Sequence, residues 1–171
     1  YEPELKENWG PSLVEEKLII DNRVPELCLR YSGMVIEDVK IGPSPKWLVD
    51  RLTSLGFRSV NNIVDITNFV LMEYGQPLHA FDKDLLDGSE IIVRHASKNE
   101  AFTSLDGIEL KLDEDTLVIA DTSKPIALAG IMGGANSQVK ETTRNIILES
   151  ASFDSVIVRK GSKKYGLRSD S

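Results

Sequence analysis

The chain has 171 residues, 41% apolar and 27% charged, with a net charge of −7 at neutral pH. That length suits one large domain or two small ones with a real core, and no apolar run approaches the roughly 18 residues a membrane helix needs. The acidic total argues against holding nucleic acid by the overall field, and the single cysteine, Cys28, excludes an internal disulfide and fits a reducing cytosol.

Residues 1–25 are mixed and punctuated by Pro3, Pro11 and Pro25, with one apolar run at Leu18-Ile19-Ile20; they read as an N-terminal linker arm. The acidic start, Tyr1-Glu2-Pro3-Glu4, lacks the apolar core of a signal peptide and an initiator methionine, so a processed or excised piece of a longer protein is expected. From Leu27 to Lys40 the pattern is strand-like, broken at Ser32-Gly33, with Cys28 as a small buried hydrophobe. Ser44 as a cap and Pro45 at the first helical position predict a helix carrying Leu48, Leu52 and Leu55 on one face before Gly56. A second helix is predicted from Asn61 to about Tyr74, stopped by Gly75 and Pro77, with Ile63, Ile66 and Val70 on its apolar side. Asn61, Asp65, Asn68 and Met72 recur at helical spacing on another side, with Thr67 beside them. That polar stripe needs partners.

The middle of the chain is β-rich. Ile91-Ile92-Val93 predicts one strand, and Asp106-Gly107 predicts a hairpin followed by alternating Ile108, Leu110 and Leu112. Thr116 to Ala120 and Ile126 to Met132 read as two more strands, the second ending at Gly133-Gly134, and Asn145 to Glu149 as another. A last helix is predicted from Ser155 to Tyr165, capped by Asp154 and stopped by Gly166. Helices between runs of strands make the class α+β.

Four segments have side chains suited to chemistry, each with a plainer structural alternative. Residues 58–68 gather three asparagines, Asp65 and Thr67, which are good hydrogen bonders or simply caps and buttresses of a helix start. Gly75-Gln76-Pro77-Leu78-His79-Ala80-Phe81-Asp82 leaves a helix in a stiff turn and presents His79; a satisfied structural histidine is the alternative, as it is for His95. Glycines 130, 133 and 134 after a buried strand let backbone N–H groups approach a ligand, although a tight turn explains them equally well. Glu149 closes an apolar run where a carboxylate is costly unless paired or functional. Near the end, Arg159, Lys160, Lys163, Lys164 and Arg168 form a basic cluster without interleaved acids: a solvated face, or the place where a phosphate backbone touches. There is no CxxC, HExxH, G-x-S-x-G, P-loop or G-x-G-x-x-G, so no zinc or ATP site is expected in this chain.

Six phrases together carry a resemblance: Arg-Tyr-Ser-Gly (30–33), Asn-Asn-Ile-Val-Asp-Ile-Thr-Asn (61–68), Gly-Gln-Pro-Leu-His-Ala-Phe-Asp (75–82), Gly-Ile-Met-Gly-Gly (130–134), Leu-Glu-Ser (148–150) and Gly-Leu-Arg-Ser-Asp-Ser (166–171). In order and over residues 26–171, they resemble the B3/B4 editing domain of the bacterial phenylalanyl-tRNA synthetase β chain. The resemblance implies a layered β/β/α domain with a pocket between sheet and helix, its C-terminal end truncated inside the last phrase. It implies hydrolysis of the ester of mischarged Tyr-tRNA(Phe), in a cytoplasmic enzyme that ligates phenylalanine to its tRNA. Thr67, Asn68, His79, Gly130, Gly133, Glu149, Ser169 and Ser171 would line the pocket. Thr67, Asn68 and His79 would hold the attacking water, and Glu149 would accept the tyrosine hydroxyl. A backbone N–H of the glycine turn would donate to that hydroxyl or to the ester oxyanion. At 169 and 171 the family more often has threonine and alanine, which reshapes the pocket floor. The implied partners are tRNA(Phe) and a synthetase α chain in an α2β2 assembly, with neither membrane nor DNA. No cofactor belongs to this domain, while the whole enzyme would use ATP and Mg. A non-catalytic module that binds tRNA or positions subunits is the rival reading, and a free-standing hydrolase of the same fold is a third.

Overall fold

The structure, a computed structural model, describes residues 18–167. The larger sheet is built from β1 (Ile19–Asn22), β4 (Glu90–His95), β7 (Leu117–Ala120), β8 (Pro125–Leu128) and β9 (Met132–Gly133), hydrogen-bonded in that order. The smaller contains β2 (Cys28–Ile36), β10 (Ile146–Phe153) and β3 (Leu78–Asp82), with β10 in the centre and antiparallel to both neighbours. Cys28, Phe81 and Ile147 from the smaller sheet meet Ile91, Val93, Ile119 and Ala127 from the larger in one apolar core.

The far face of the larger sheet is covered too. There Val118, Leu128 and Ile131 pack with Phe102 and Leu112 of a ribbon, β5 (Glu100–Thr103) and β6 (Glu109–Leu112), and with Val158 of α3 (Ser155–Tyr165). Covered on both faces, β7 is buried at all four positions, which is why its sequence is an unbroken apolar run. The result is the α+β, layered β/β/α architecture. Two further helices, α1 (Lys46–Ser54) and α2 (Asn62–Tyr74), pair through an edge-on contact of Trp47 and Phe69, and α2 packs beside β3.

Several expectations need correction. Residues 19–22, assigned to a linker arm, form β1 and pair in parallel with β4, so the arm is not all linker; its residues 1–17 lie outside the described residues. Leu18 and Ile20 pack against the core, a non-local contact that no local pattern announces. β2 runs unbroken through Ser32-Gly33; Gly33 marks close approach, since a Cβ there would sit 2.7 Å from the Leu18 side chain. Residues 126–132 are not one strand: Gly130, at φ +66°, turns the chain so that β9 returns against β8. His79 is presented by strand β3 rather than by a turn.

On α2 the two buried side chains are polar, Asp65 and Thr67, while Asn61 and Asn68 are half-buried and Met72 is exposed. Ile66 is 47% exposed, whereas Asp65 is wholly buried and accepts from the Ser44 and Ser59 hydroxyls and from the Val60 amide. Ser44 therefore does not cap α1, whose N-terminal residue Pro45 offers no side-chain bond. A buried carboxylate left without donors would be costly, so the nearby hydroxyls serve it instead. Asn61 does cap α2, accepting from the Val64 amide, and Gly75 ends that helix in the left-handed conformation. Asp154 caps α3 and Gly166 stops it.

Candidate functional site

A cleft of about 870 Å³ opens where α2, β3, β10, the β8–β9 turn and α3 meet. Thr67, Asn68, His79, Gly130, Gly133 and Glu149 all line it, although they come from five separate elements. Ser169 and Ser171, expected at its floor, lie outside the described residues, as does Arg168.

Glu149 stands on the central strand β10, opposite Gly33 on one side and His79 on the other. It is only 7% exposed. Burial pushes its carboxyl up to about 7, opposed by a hydrogen bond from the Tyr31 hydroxyl, which donates to Oε2 at 3.0 Å. Oε1 has no hydrogen-bond partner among the described residues, and none of the fully enclosed side-chain polar atoms there lacks one. Oε1 therefore opens on the cleft that Glu149 lines. Burial, then the charge of Glu149 and the bond to it, hold the Tyr31 phenol well above its ordinary range. Beside them Cys28 is pushed to about 11 by burial and then by Glu149, so it stays a neutral thiol.

His79 is half-buried, with its ring edge-on to Phe81 at 4.7 Å. Burial lowers its pKa to about 4, so the imidazole is neutral at physiological pH. A neutral ring can orient a water but is a weak proton acceptor. A Cβ on Gly133 would fall 2.7 Å from His79 Cε1 and 2.8 Å from Nε2, so this glycine lets the turn lie against the imidazole. The Thr67 hydroxyl donates back to the Val64 carbonyl, leaving its oxygen lone pairs as the group it can offer. The Asn68 amide makes no hydrogen bond among the described residues. Gly130 presses against Val158 and Phe153 of the opposite wall. Its N–H is likewise unpaired among those residues.

The basic residues separate. Arg159 lines the cleft, and Lys160 and Lys163 are exposed on α3. Lys164 is bound to Asp113 at 2.5 Å, an acid that the fold supplies from a distant loop. His95 is exposed at the end of β4 and outside the cleft. No three His, Cys, Asp or Glu side chains converge as metal ligands among the described residues, and no helix there is long and apolar enough to cross a membrane. Sequence reasoning missed Tyr31 as a site residue. The signal was the Arg-Tyr-Ser-Gly phrase, quoted for its likeness but given no task.

Apolar walls from Val64, Leu71, Ile119 and Met132 can take an aromatic ring, with a carboxylate, a neutral imidazole, two polar helix side chains and the glycine turn around it. A family model described as the B3/4 domain matches residues 27–171. The chain is 54% identical over 169 residues to a phenylalanine–tRNA ligase β subunit of Carboxydothermus hydrogenoformans, covering 99% of this chain and 21% of that protein. It is 55% identical over 159 residues to the same-named subunit of Protochlamydia amoebophila, covering 93% and 20%. The chain thus spans about a fifth of the length of these curated relatives. An N-terminal fragment of the phenylalanyl-tRNA synthetase β subunit from Pyrococcus horikoshii superposes with a TM-score of 0.61 at 11% identity, over 93% of this chain and 52% of that one. At that identity the likeness is one of fold.

Proposed function

Because this chain belongs to the B3/4 domain family, we propose that it is the part of a phenylalanine–tRNA ligase β subunit that hydrolyses the ester of mischarged Tyr-tRNA(Phe). The observation that carries the reading is the buried Glu149, with one carboxylate oxygen held by Tyr31 and the other open to an apolar cleft. Tyrosine differs from phenylalanine by one hydroxyl. An apolar synthetic pocket rejects that hydroxyl weakly, whereas a site built to hydrogen-bond it can discriminate by roughly 10⁴, because phenylalanine leaves its polar groups unpaired.

In this reading the tyrosyl ring lies between the apolar walls and its hydroxyl donates to Glu149 Oε1. Asn68, Thr67 and neutral His79 hold the attacking water, and the Gly130 N–H faces the oxyanion that forms as water adds to the ester carbon. A ribose hydroxyl of the tRNA is the remaining candidate to take the proton, since His79 is too weak a base at neutral pH. Ser169 and Ser171 would complete the floor. Arg159, Lys160, Lys163 and Arg168 would approach the tRNA backbone. The α chain, the α2β2 assembly, a cytoplasmic setting, and the ATP and Mg of aminoacylation belong to the proposal for the whole ligase.

The test is deacylation of Tyr-tRNA(Phe) by the assembled ligase, with Phe-tRNA(Phe) as control. The reading expects hydrolysis of the tyrosyl ester well above the spontaneous rate, lost in a His79→Ala, Asn68→Ala double variant. Hydrolysis no faster than without enzyme would leave a non-catalytic tRNA-positioning module.

A further inference from the structure

Tyr31 lies on β2, opposite Ala151 in the ladder and so diagonal to Glu149. Its phenol is held in the core by the packing around it and reaches the carboxylate from the side away from β3. Position 33, which faces Glu149 directly, is a glycine under the Leu18 and Ile20 side chains. No side chain of that residue competes for the carboxylate, and the phenol is the one hydrogen-bond donor to the Glu149 carboxylate among the described residues.

We propose that Tyr31 is a specificity-determining positioning residue, whose hydroxyl, by occupying Oε2 of Glu149, aims Oε1 at the cleft as the acceptor for a ligand's phenolic hydroxyl. The inference rests on reading the cleft as the tyrosyl-ester site. A carboxylate on a flexible side chain would turn both oxygens among several positions; a fixed donor on one oxygen selects one of them. The same bond favours the ionised carboxylate, which accepts but does not donate. Its surroundings add little competing charge. β2 contributes Cys28 and Tyr31, both neutral, β3 contributes neutral His79, and α2 contributes Thr67 and Asn68. Arg159 of α3 is the cation on the cleft wall.

The experiment uses the assembled ligase and measures hydrolysis of Tyr-tRNA(Phe) and Phe-tRNA(Phe) as a function of pH. Tyr31→Phe keeps the ring and removes the donor. It should raise KM for the tyrosyl ester roughly ten-fold near neutral pH with little change in kcat, the size expected for losing aim at a charge-assisted acceptor. The loss should recede at higher pH, where Glu149 ionises without help. In a Glu149→Gln background the same replacement should cost no further discrimination, whereas a purely structural tyrosine would cost the same in both. Placing 2,3-difluorotyrosine at 31, a stronger donor of nearly the same shape, should move the pH profile the opposite way; it also decides the matter if Tyr31→Phe fails to fold. If the parental ligase hydrolyses Tyr-tRNA(Phe) and Tyr31→Phe keeps its discrimination and pH profile, this inference alone is overturned. If the parental ligase does not hydrolyse it, the functional reading falls and this inference with it.

Discussion

Replacing Glu149 with glutamine should stabilise the folded chain at alkaline pH and leave it almost unchanged in acid. The carboxyl is raised from 4.5 to about 7 by burial, so between those values the folded state keeps a proton that the unfolded state has lost. Stability therefore falls as pH rises through that window and is flat above it. At 1.36 kcal/mol per pH unit of separation, ionised Glu149 costs the fold about 3 kcal/mol. Glutamine is nearly isosteric and its carbonyl can still accept from Tyr31, so most of that cost should vanish. His79 acts with the opposite sign. Its pKa is depressed from 6.5 to about 4, so its contribution is present above 6.5 and lost as pH falls toward 4. In the parental chain the two slopes offset between about 4.5 and 6.5; in Glu149→Gln the His79 slope stands alone. Urea unfolding of the 171-residue chain, followed by circular dichroism from pH 4 to 9, measures the difference directly. The reasoning is refuted if the gain is the same at every pH, or if glutamine destabilises above pH 7.

Three other outcomes follow from particular contacts. In the assembled ligase, Glu149→Ala should slow Tyr-tRNA(Phe) hydrolysis roughly ten- to hundred-fold by deleting a charged acceptor, while His79→Ala slows it without opening the site to phenylalanine; single-turnover deacylation separates the two. Asp65→Ala should lower stability by about 3 kcal/mol or more, because two hydroxyls and one amide lose their buried acceptor, and a urea midpoint reads it. Lys160→Ala with Lys163→Ala should weaken tRNA binding and flatten its salt dependence, whereas Lys164→Ala, already paired with Asp113, should change the slope much less.

The parts of the fold legible from sequence were those set by local chemistry. The Gly75 stop, the Asp106-Gly107 turn and the Asp154 to Gly166 helix need only a few neighbouring residues, and each stands where expected. What escaped was non-local. β1 exists because β4 offers it a parallel edge about 70 residues on. Ser44 looked like a cap until Asp65 claimed its hydroxyl, and Lys164 looked free until the fold brought Asp113 to it. The apolar face read on α2 fails in part for the same reason. Asp65 is buried because the fold supplies it donors, and Ile66 is left at the surface. The convergence of Thr67, Asn68, His79, Gly133 and Glu149 was foreseen through likeness of phrases, since spacing alone does not bring four elements to one cleft.

Strand alternation explains why those groups are buried as well as gathered. On β10, Ile147 faces the core, and Glu149, two residues on, shares its face. Across the ladder, His79 and Phe81 repeat the pattern on β3, with Phe81 opposite Ile147 and His79 opposite Glu149. The cleft is thus the end of the inter-sheet core at which apolar residues give way to polar ones on the same face. A one-residue slip of β10 would put Leu148 or Ser150 at that position and carry the carboxylate to the other side of the sheet. The register is fixed against that slip by Phe81 and Ile147, both buried, one step deeper along the strands. The same packing that stabilises the sandwich therefore sets the carboxylate's position, and desolvation follows from where the core ends.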